Sequence, residues 1–198
     1  MKLKNIFSLM PTSIEVLYPI AERQAAHFTT AQARDAGLSD QQLHYLSKSG
    51  SIQRVAHGIY RLQRFPHQPF EDVMIALLWA GKGSVASHDT ALVIYGLTDA
   101  MPPLIHLTTA RRFRGERRGV LVHQAPIPDQ DRAQRHGIPV TGLVRTLGDV
   151  AERYGAPEAV TAAQEALERG LTTRSSMMRA LSDDPKTAPV ARLLEEPS

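Results

Sequence analysis

Apolar residues recur at helical spacing at Ile14, Leu17, Ile20 and Ala21, which predicts a first helix over 14–26, with Pro19 able to delay its start. Thr29 or Thr30 then caps a second short helix running to Ala36, and Gly37 ends it. Leu38 buries itself in the turn. Ser39 caps a third helix over 40–49, closed by Gly50, with Leu43 and Leu46 pointing inward. A short helix, a glycine-containing turn and a second capped helix make a helix-turn-helix pattern. Two extended pieces, 51–55 and 58–62, follow directly, joined by Ala56-His57. Ile52, Val55, Ile59 and Leu62 are apolar while Arg54 and Arg61 are not, as expected of a β-hairpin wing.

Two prolines within 64–69 disfavour both helix and central strand and predict a domain boundary there. Beyond it, an apolar stripe at Val73, Ile75, Ala76, Leu77 and Trp79 predicts a helix over 70–80. Gly81 and Gly83 end that helix, and Ser84 or Ser87 caps the next, which reaches Tyr95. The period then shortens. Strands are expected at 104–107, 120–123 and 138–140, with a glycine-punctuated basic loop over 111–119 between the first two. Thr141 caps a helix over 143–154, Pro157 opens another to Arg169, Gly170 stops it, and Thr173 opens a last helix to Leu181. From Ser182 onward the chain is expected to fray. The fold class is therefore α+β: an N-terminal winged helix-turn-helix (1–65), then an α/β domain with a small mixed sheet and C-terminal helices (66–198).

Composition narrows the function classes. Apolar residues make up 42% of the 198, enough for folded cores, and there is no cysteine, which excludes disulfides and cysteine-based zinc sites and suits a reducing, cytoplasmic setting. Apolar runs are too short to span a membrane. Residues 1–10 carry two lysines and no small-residue cleavage site, so no signal peptide is expected. The formal net charge of +3 is uneven: residues 1–66 hold 8 Lys+Arg against 4 Asp+Glu, while 151–198 hold 6 against 8. A basic front suits phosphate contact.

On the third helix, Gln41, Gln42, His44, Tyr45 and Lys48 become the candidates for a DNA groove, since glutamine suits adenine edges and lysine suits guanine or phosphate. Thr30, at the start of the second helix, joins them. Arg54, His57 and Arg61 of the wing are expected to reach backbone phosphates. Arg111, Arg112, Arg114, Arg117 and Arg118 in the basic loop, with Phe113 among them, form a second candidate surface for DNA or a protein partner. No catalytic set emerges. Gly81-Lys82-Gly83-Ser84 lacks the earlier glycine and buried strand of a phosphate loop. Asp129 has no acid-x-Lys partner for a nuclease, because the only lysine after Lys82 is Lys186. His88, His106 and His123 show no metal-ligand spacing, so no metal or cofactor is expected and His88 is assigned to capping or packing. Arg145 and Asp149, four apart on a helix, are assigned to a structural ion pair.

Thr29-Thr30-Ala31-Gln32-Ala33, Gly37-Leu38-Ser39, Leu43-His44-Tyr45-Leu46, and Ile52-Gln53-Arg54-Val55 with Gly58-Ile59-Tyr60-Arg61-Leu62 together resemble the winged helix of AbiEi-type antitoxins. Ser87-His88, Ala91-Leu92 and Tyr95-Gly96-Leu97 resemble the opening helix of their C-terminal domain, and Gly137-Ile138-Pro139-Val140-Thr141 with Arg145-Thr146-Leu147 and Asp149-Val150-Ala151 its later strand-to-helix segment. The resemblance spans 14–170. It implies an antitoxin of a type IV toxin–antitoxin system that binds inverted repeats in its own promoter and represses its operon. It also implies that the second domain neutralises a nucleotidyltransferase-type toxin, without requiring a stable complex, and that the antitoxin is a monomer or weak dimer. The alternative on the residues alone is a stand-alone winged-helix regulator whose second domain binds a ligand or protein.

Overall fold

The computed structural model describes residues 14–195, so the reading of residues 1–10 lies outside the described residues. The chain folds as two compact units, divided between Trp79 and Ala80.

The first unit opens with 3-10 turns at Glu15–Leu17 and Glu22–Gln24 around a short helix α1 (Tyr18–Ala21), rather than one helix over 14–26. Ala25 and Ala26 take left-handed φ of 50° and 69° and turn the chain into strand β1 (His27–Thr29), which the periodicity hides. Helices α2 (Thr30–Asp35) and α3 (Asp40–Lys48) start on capping boxes, Thr29 with Gln32 and Ser39 with Gln42. Strands β2 (Ile52–Ala56) and β3 (Ile59–Leu62) form the wing, and β1 adds to β3, so the antiparallel order is β1-β3-β2. Leu17, Phe28, Ala33, Leu38, Leu43, Leu46, Ile52 and Leu62 make one buried core beneath the helices. This is a winged helix-turn-helix.

Helix α4 (Glu71–Ala80) follows the proline-rich segment. The proline-rich segment 64–69 lies within the first unit, and Arg61 reaches over it to Phe65 O (2.9 Å) and Glu71 Oε1 (3.3 Å). His27 is fully buried, with Nδ1 bonded to Ala25 O at 2.6 Å and Nε2 without a hydrogen-bond partner among the described residues. Burial pushes its pKa below the ordinary 6.5, against the pull of the Ala25 carbonyl. An imidazole neutral in the fold and free to protonate when unfolded adds stability that is complete above pH 6.5 and lost as pH falls below it. The urea midpoint of the first unit is expected to fall between pH 7.5 and pH 5, with a shallower fall in His27→Gln. Equal slopes in the two proteins would refute this linkage.

The second unit holds a five-stranded mixed sheet in the order β6-β5-β4-β8-β7, built from β4 (Val85–Ala86), β5 (Ile105–Thr109), β6 (Val120–Gln124), β7 (Arg132–Arg135) and β8 (Ile138–Thr141). β4 and β7 are too short or too polar to show in the hydropathy pattern. Helix α5 (His88–Tyr95) connects β4 to β5, and α6 (Leu143–Tyr154), α7 (Ala156–Glu168) and α8 (Arg174–Ser182) follow the sheet. Thr141 does not cap α6; its Oγ1 pairs with Thr146 Oγ1 at 2.8 Å, and Gly142 holds the cap position. The end of the chain does not fray at Ser182. Helix α9 (Ala188–Glu195) buries Val190, Ala191 and Leu194, an apolar stripe of the kind that folds a helix onto its neighbours.

Candidate nucleic-acid interface

Helix α3 turns Leu43 and Leu46 into the core and leaves Gln41, His44, Tyr45 and Lys48 exposed. Their spacing of three and four residues places them on one helical face. Tyr45 is 70% exposed, a large aromatic ring left in solvent in the middle of that face. The helix is held at its start by more than its cap. Arg34 of α2 donates from Nε and Nη2 to the two oxygens of Asp40, at 2.9 and 2.8 Å. This solvent-exposed fork links α2 to the start of α3 and holds the Asp40 carboxyl below its ordinary range.

Gln42 stands apart from that face. Its side-chain oxygen accepts hydrogen bonds from Ser39 N (2.8 Å) and Ser39 Oγ (3.0 Å), so its carbonyl serves the capping box rather than a base edge. Thr30 also has a structural partner. Its backbone N and its Oγ1 both donate to Gly58 O, at 2.9 and 3.4 Å, tying the start of α2 to the wing turn. Gly58 has φ +67°, a left-handed conformation that favours glycine at this turn.

On the wing, Arg54 and His57 are exposed and meet each other, with Arg54 Nη2 3.0 Å from His57 Nδ1. A register shift between Arg54 and Ala56 bulges this strand. Arg61 corrects the sequence expectation. It is 3% exposed, and its guanidinium donates to Leu62 O and Phe65 O and pairs with Glu71. The expectation takes the wing as two strands with one face in solvent. β3 is instead the central strand of three, and the face that carries Arg61 is covered by the segment after the wing, through Phe65 O and Glu71.

In the second unit the basic loop joins β5 to β6. Arg112, Arg114 and Arg118 are exposed and Arg117 is half-buried, bridging to Val120 through the backbone. Arg111 differs, because its guanidinium donates to Ala80 O. Arg145 and Asp149 form the expected ion pair at 2.8 Å, and Arg145 also reaches Asp131 Oδ2 (3.1 Å) and Pro126 O (3.0 Å).

Residues 15–63 match a family described as a transcriptional regulator, AbiEi antitoxin. Residues 84–196 match the AbiEi antitoxin C-terminal domain. No curated protein matches the chain. Among solved structures, the RV2827C protein from Mycobacterium tuberculosis aligns with a TM-score of 0.49 at 17% identity, covering 93% of this chain and 76% of its own.

Proposed function

Because the chain belongs to the AbiEi antitoxin family, we propose that it binds double-stranded DNA at inverted repeats in its own promoter, represses that operon and neutralises a nucleotidyltransferase-type toxin encoded with it. The observation that carries the DNA reading is the α3 face: Gln41, His44, Tyr45 and Lys48 lie in solvent on one side of a doubly anchored helix, with Leu43 and Leu46 buried on the other. A helix so fixed enters a major groove without paying to order itself. Gln41 has the paired donor and acceptor that an adenine edge requires, and Lys48 and Arg54 supply positive charge for phosphates. His57, paired with Arg54, steers that guanidinium.

The protein works in the cytoplasm, where its operon lies, and no described helix is long and apolar enough to cross a membrane. It binds as a monomer or weak dimer, two copies pairing on the two halves of the repeat. The second unit acts on the toxin, and neither role calls for catalysis by this chain. The basic loop is a second contact surface, through Arg112, Arg114, Arg117 and Arg118.

Fluorescence anisotropy with promoter DNA, titrated at several salt concentrations, tests the first role. Lys48→Ala and Arg54→Ala are each expected to weaken binding and to lower the salt slope by about 1. Unchanged affinity and slope in both would remove these residues from the interface. Co-expression with the neighbouring toxin gene tests the second role. Growth should be rescued by the wild-type chain, and failure of rescue with intact DNA binding would leave only the regulator. Substituting the four loop arginines together tells whether that surface serves rescue or DNA affinity.

A further inference from the structure

Among the described residues, His88, His106 and His123 each bring one ring nitrogen to within 4.8 Å of the others. They come from three elements: the first residue of α5, the buried strand β5 and the edge strand β6. Parallel pairing sets Thr108 against His123, and Thr108 shares a face with His106, so the two strand histidines project from the same side. His106 Nδ1 and His123 Nε2 are 3.1 Å apart, close to the edge of a tetrahedron with metal–nitrogen bonds of about 2.0–2.1 Å. The His88 ring stacks on His123 with centroids 3.8 Å apart.

The surroundings are built to hold these rings. Thr108 Oγ1 donates to Ser87 Oγ (2.7 Å), Ser87 N to His106 O (3.0 Å) and His106 N to Thr90 Oγ1 (2.8 Å), which locks the start of α5 onto β5. His88 sits at φ +51°, a left-handed conformation that a non-glycine residue holds at a cost and that clusters at functional sites. Behind the rings stand two carboxylates. Asp89 Oδ2 is 3.6 Å from His106 Nε2 and also accepts the Tyr154 hydroxyl. Asp149 Oδ2 is buried, has no hydrogen-bond partner and lies 3.9 Å from His88 Nδ1. A carboxylate facing the far nitrogen of a histidine is the arrangement that orients metal-bound imidazole. Burial also disfavours the protonated form of all three rings. Burial, and then the neighbouring imidazoles, push His88 down to about 3 and His123 to about 4. One of the two strand imidazoles donates to the other across the 3.1 Å contact, and His88 Nδ1 pairs with Ser87 Oγ at 3.0 Å, so a bound ion would take the place of one shared proton.

We propose that His88, His106 and His123 form a three-histidine binding site for a divalent transition-metal ion of the Zn²⁺ class, with Asp89 and Asp149 as orienting carboxylates. Imidazole ligands select zinc, copper, nickel or cobalt over the oxygen-seeking magnesium and calcium. Bound there, the ion clips the start of α5 to β5 and β6. The three ligands are 17 and 18 residues apart, which explains why no short spacing motif announces them.

The test uses the untagged full chain, stripped with chelator and titrated with Co²⁺ and then Zn²⁺. One equivalent of Co²⁺ is expected, with visible d–d absorption of tetrahedral or five-coordinate intensity, displaced by Zn²⁺. His123→Gln, on the edge strand, should weaken binding at least 100-fold. Asp89→Asn should weaken it about 10-fold, as loss of an orienting partner does. His67→Ala, in the first unit, should leave it unchanged. Because substitutions in the cluster can perturb folding, histidine ring NMR of the wild-type chain is read in parallel, and Zn²⁺ should shift the ring signals of these three residues. No Co²⁺ binding at 100-micromolar metal, equal binding in His123→Gln, or shifts confined to other histidines would overturn the site.

Discussion

Phe28→Ala is expected to destabilise the first unit by about 3–5 kcal/mol, the range for emptying a buried aromatic site. Phe28 is fully buried on β1, and its ring stacks on Tyr60 of β3 at 5.7 Å with planes 18° apart. It sits in the same cluster as Leu17, Ala33, Leu43, Leu46 and Ile52, so it joins the helix-turn-helix to the sheet. The neighbours cannot close the void cheaply, because β1 is held in register by β3, with Phe28 opposite Tyr60. So small a core has a margin comparable to the loss. Promoter DNA binding should therefore collapse, and amide protection should fall across α2, α3 and β1–β3. Urea unfolding followed by near-UV circular dichroism gives the energy. A loss under 1 kcal/mol would mean that β1 does not carry the core.

Phe28 also marks where local sequence signals stop. Helices α2 and α3 are legible because their caps are local: Thr29 and Ser39 sit one residue before each helix, and Gly37 and Gly50 close them. The wing is legible from its alternation. β1 is not, because Ala25 and Ala26 look like helix formers, yet they take left-handed φ in a turn held by Ala26 N on Ala21 O, Leu62 N on Ala26 O and His27 Nδ1 on Ala25 O. Arg61 fails for a related reason. A strand's alternation tells which residues share a face, but whether the second face is covered depends on how the segment after the wing folds back, where Phe65 O and Glu71 take the Arg61 guanidinium. Gln42 is a case of two local roles for one residue, and the cap takes it. The histidine cluster could be named but not assembled, since its members meet only through the pairing of β5 with β6 and the docking of α5.

In the second unit the largest expected effect follows from Arg145→Ala. The i,i+4 pairing with Asp149 is legible in the sequence, but the other partners are not. Arg145 Nη1 also donates to Pro126 O and Asp131 Oδ2, so one guanidinium anchors the β6–β7 connection to α6. Asp149 has a side chain only 6% exposed; Arg145 donates to its Oδ1, and among the described residues its Oδ2 has no hydrogen-bond partner. Burial already pushes the Asp149 carboxyl up, and Arg145 is the main influence holding it down. Removing the cation strands a buried charge, which costs about 3–5 kcal/mol in such pairs; the 18% exposure of Arg145 puts the expectation near 3. Without Arg145 the folded carboxyl takes a proton more readily than the unfolded one, so the deficit should shrink as pH falls towards 4 and be largest near 7. Asp149→Asn in the Arg145→Ala background should recover much of the loss. Urea denaturation of the four proteins in that cycle measures the coupling, and a coupling energy of zero would show that Asp149 does not depend on Arg145.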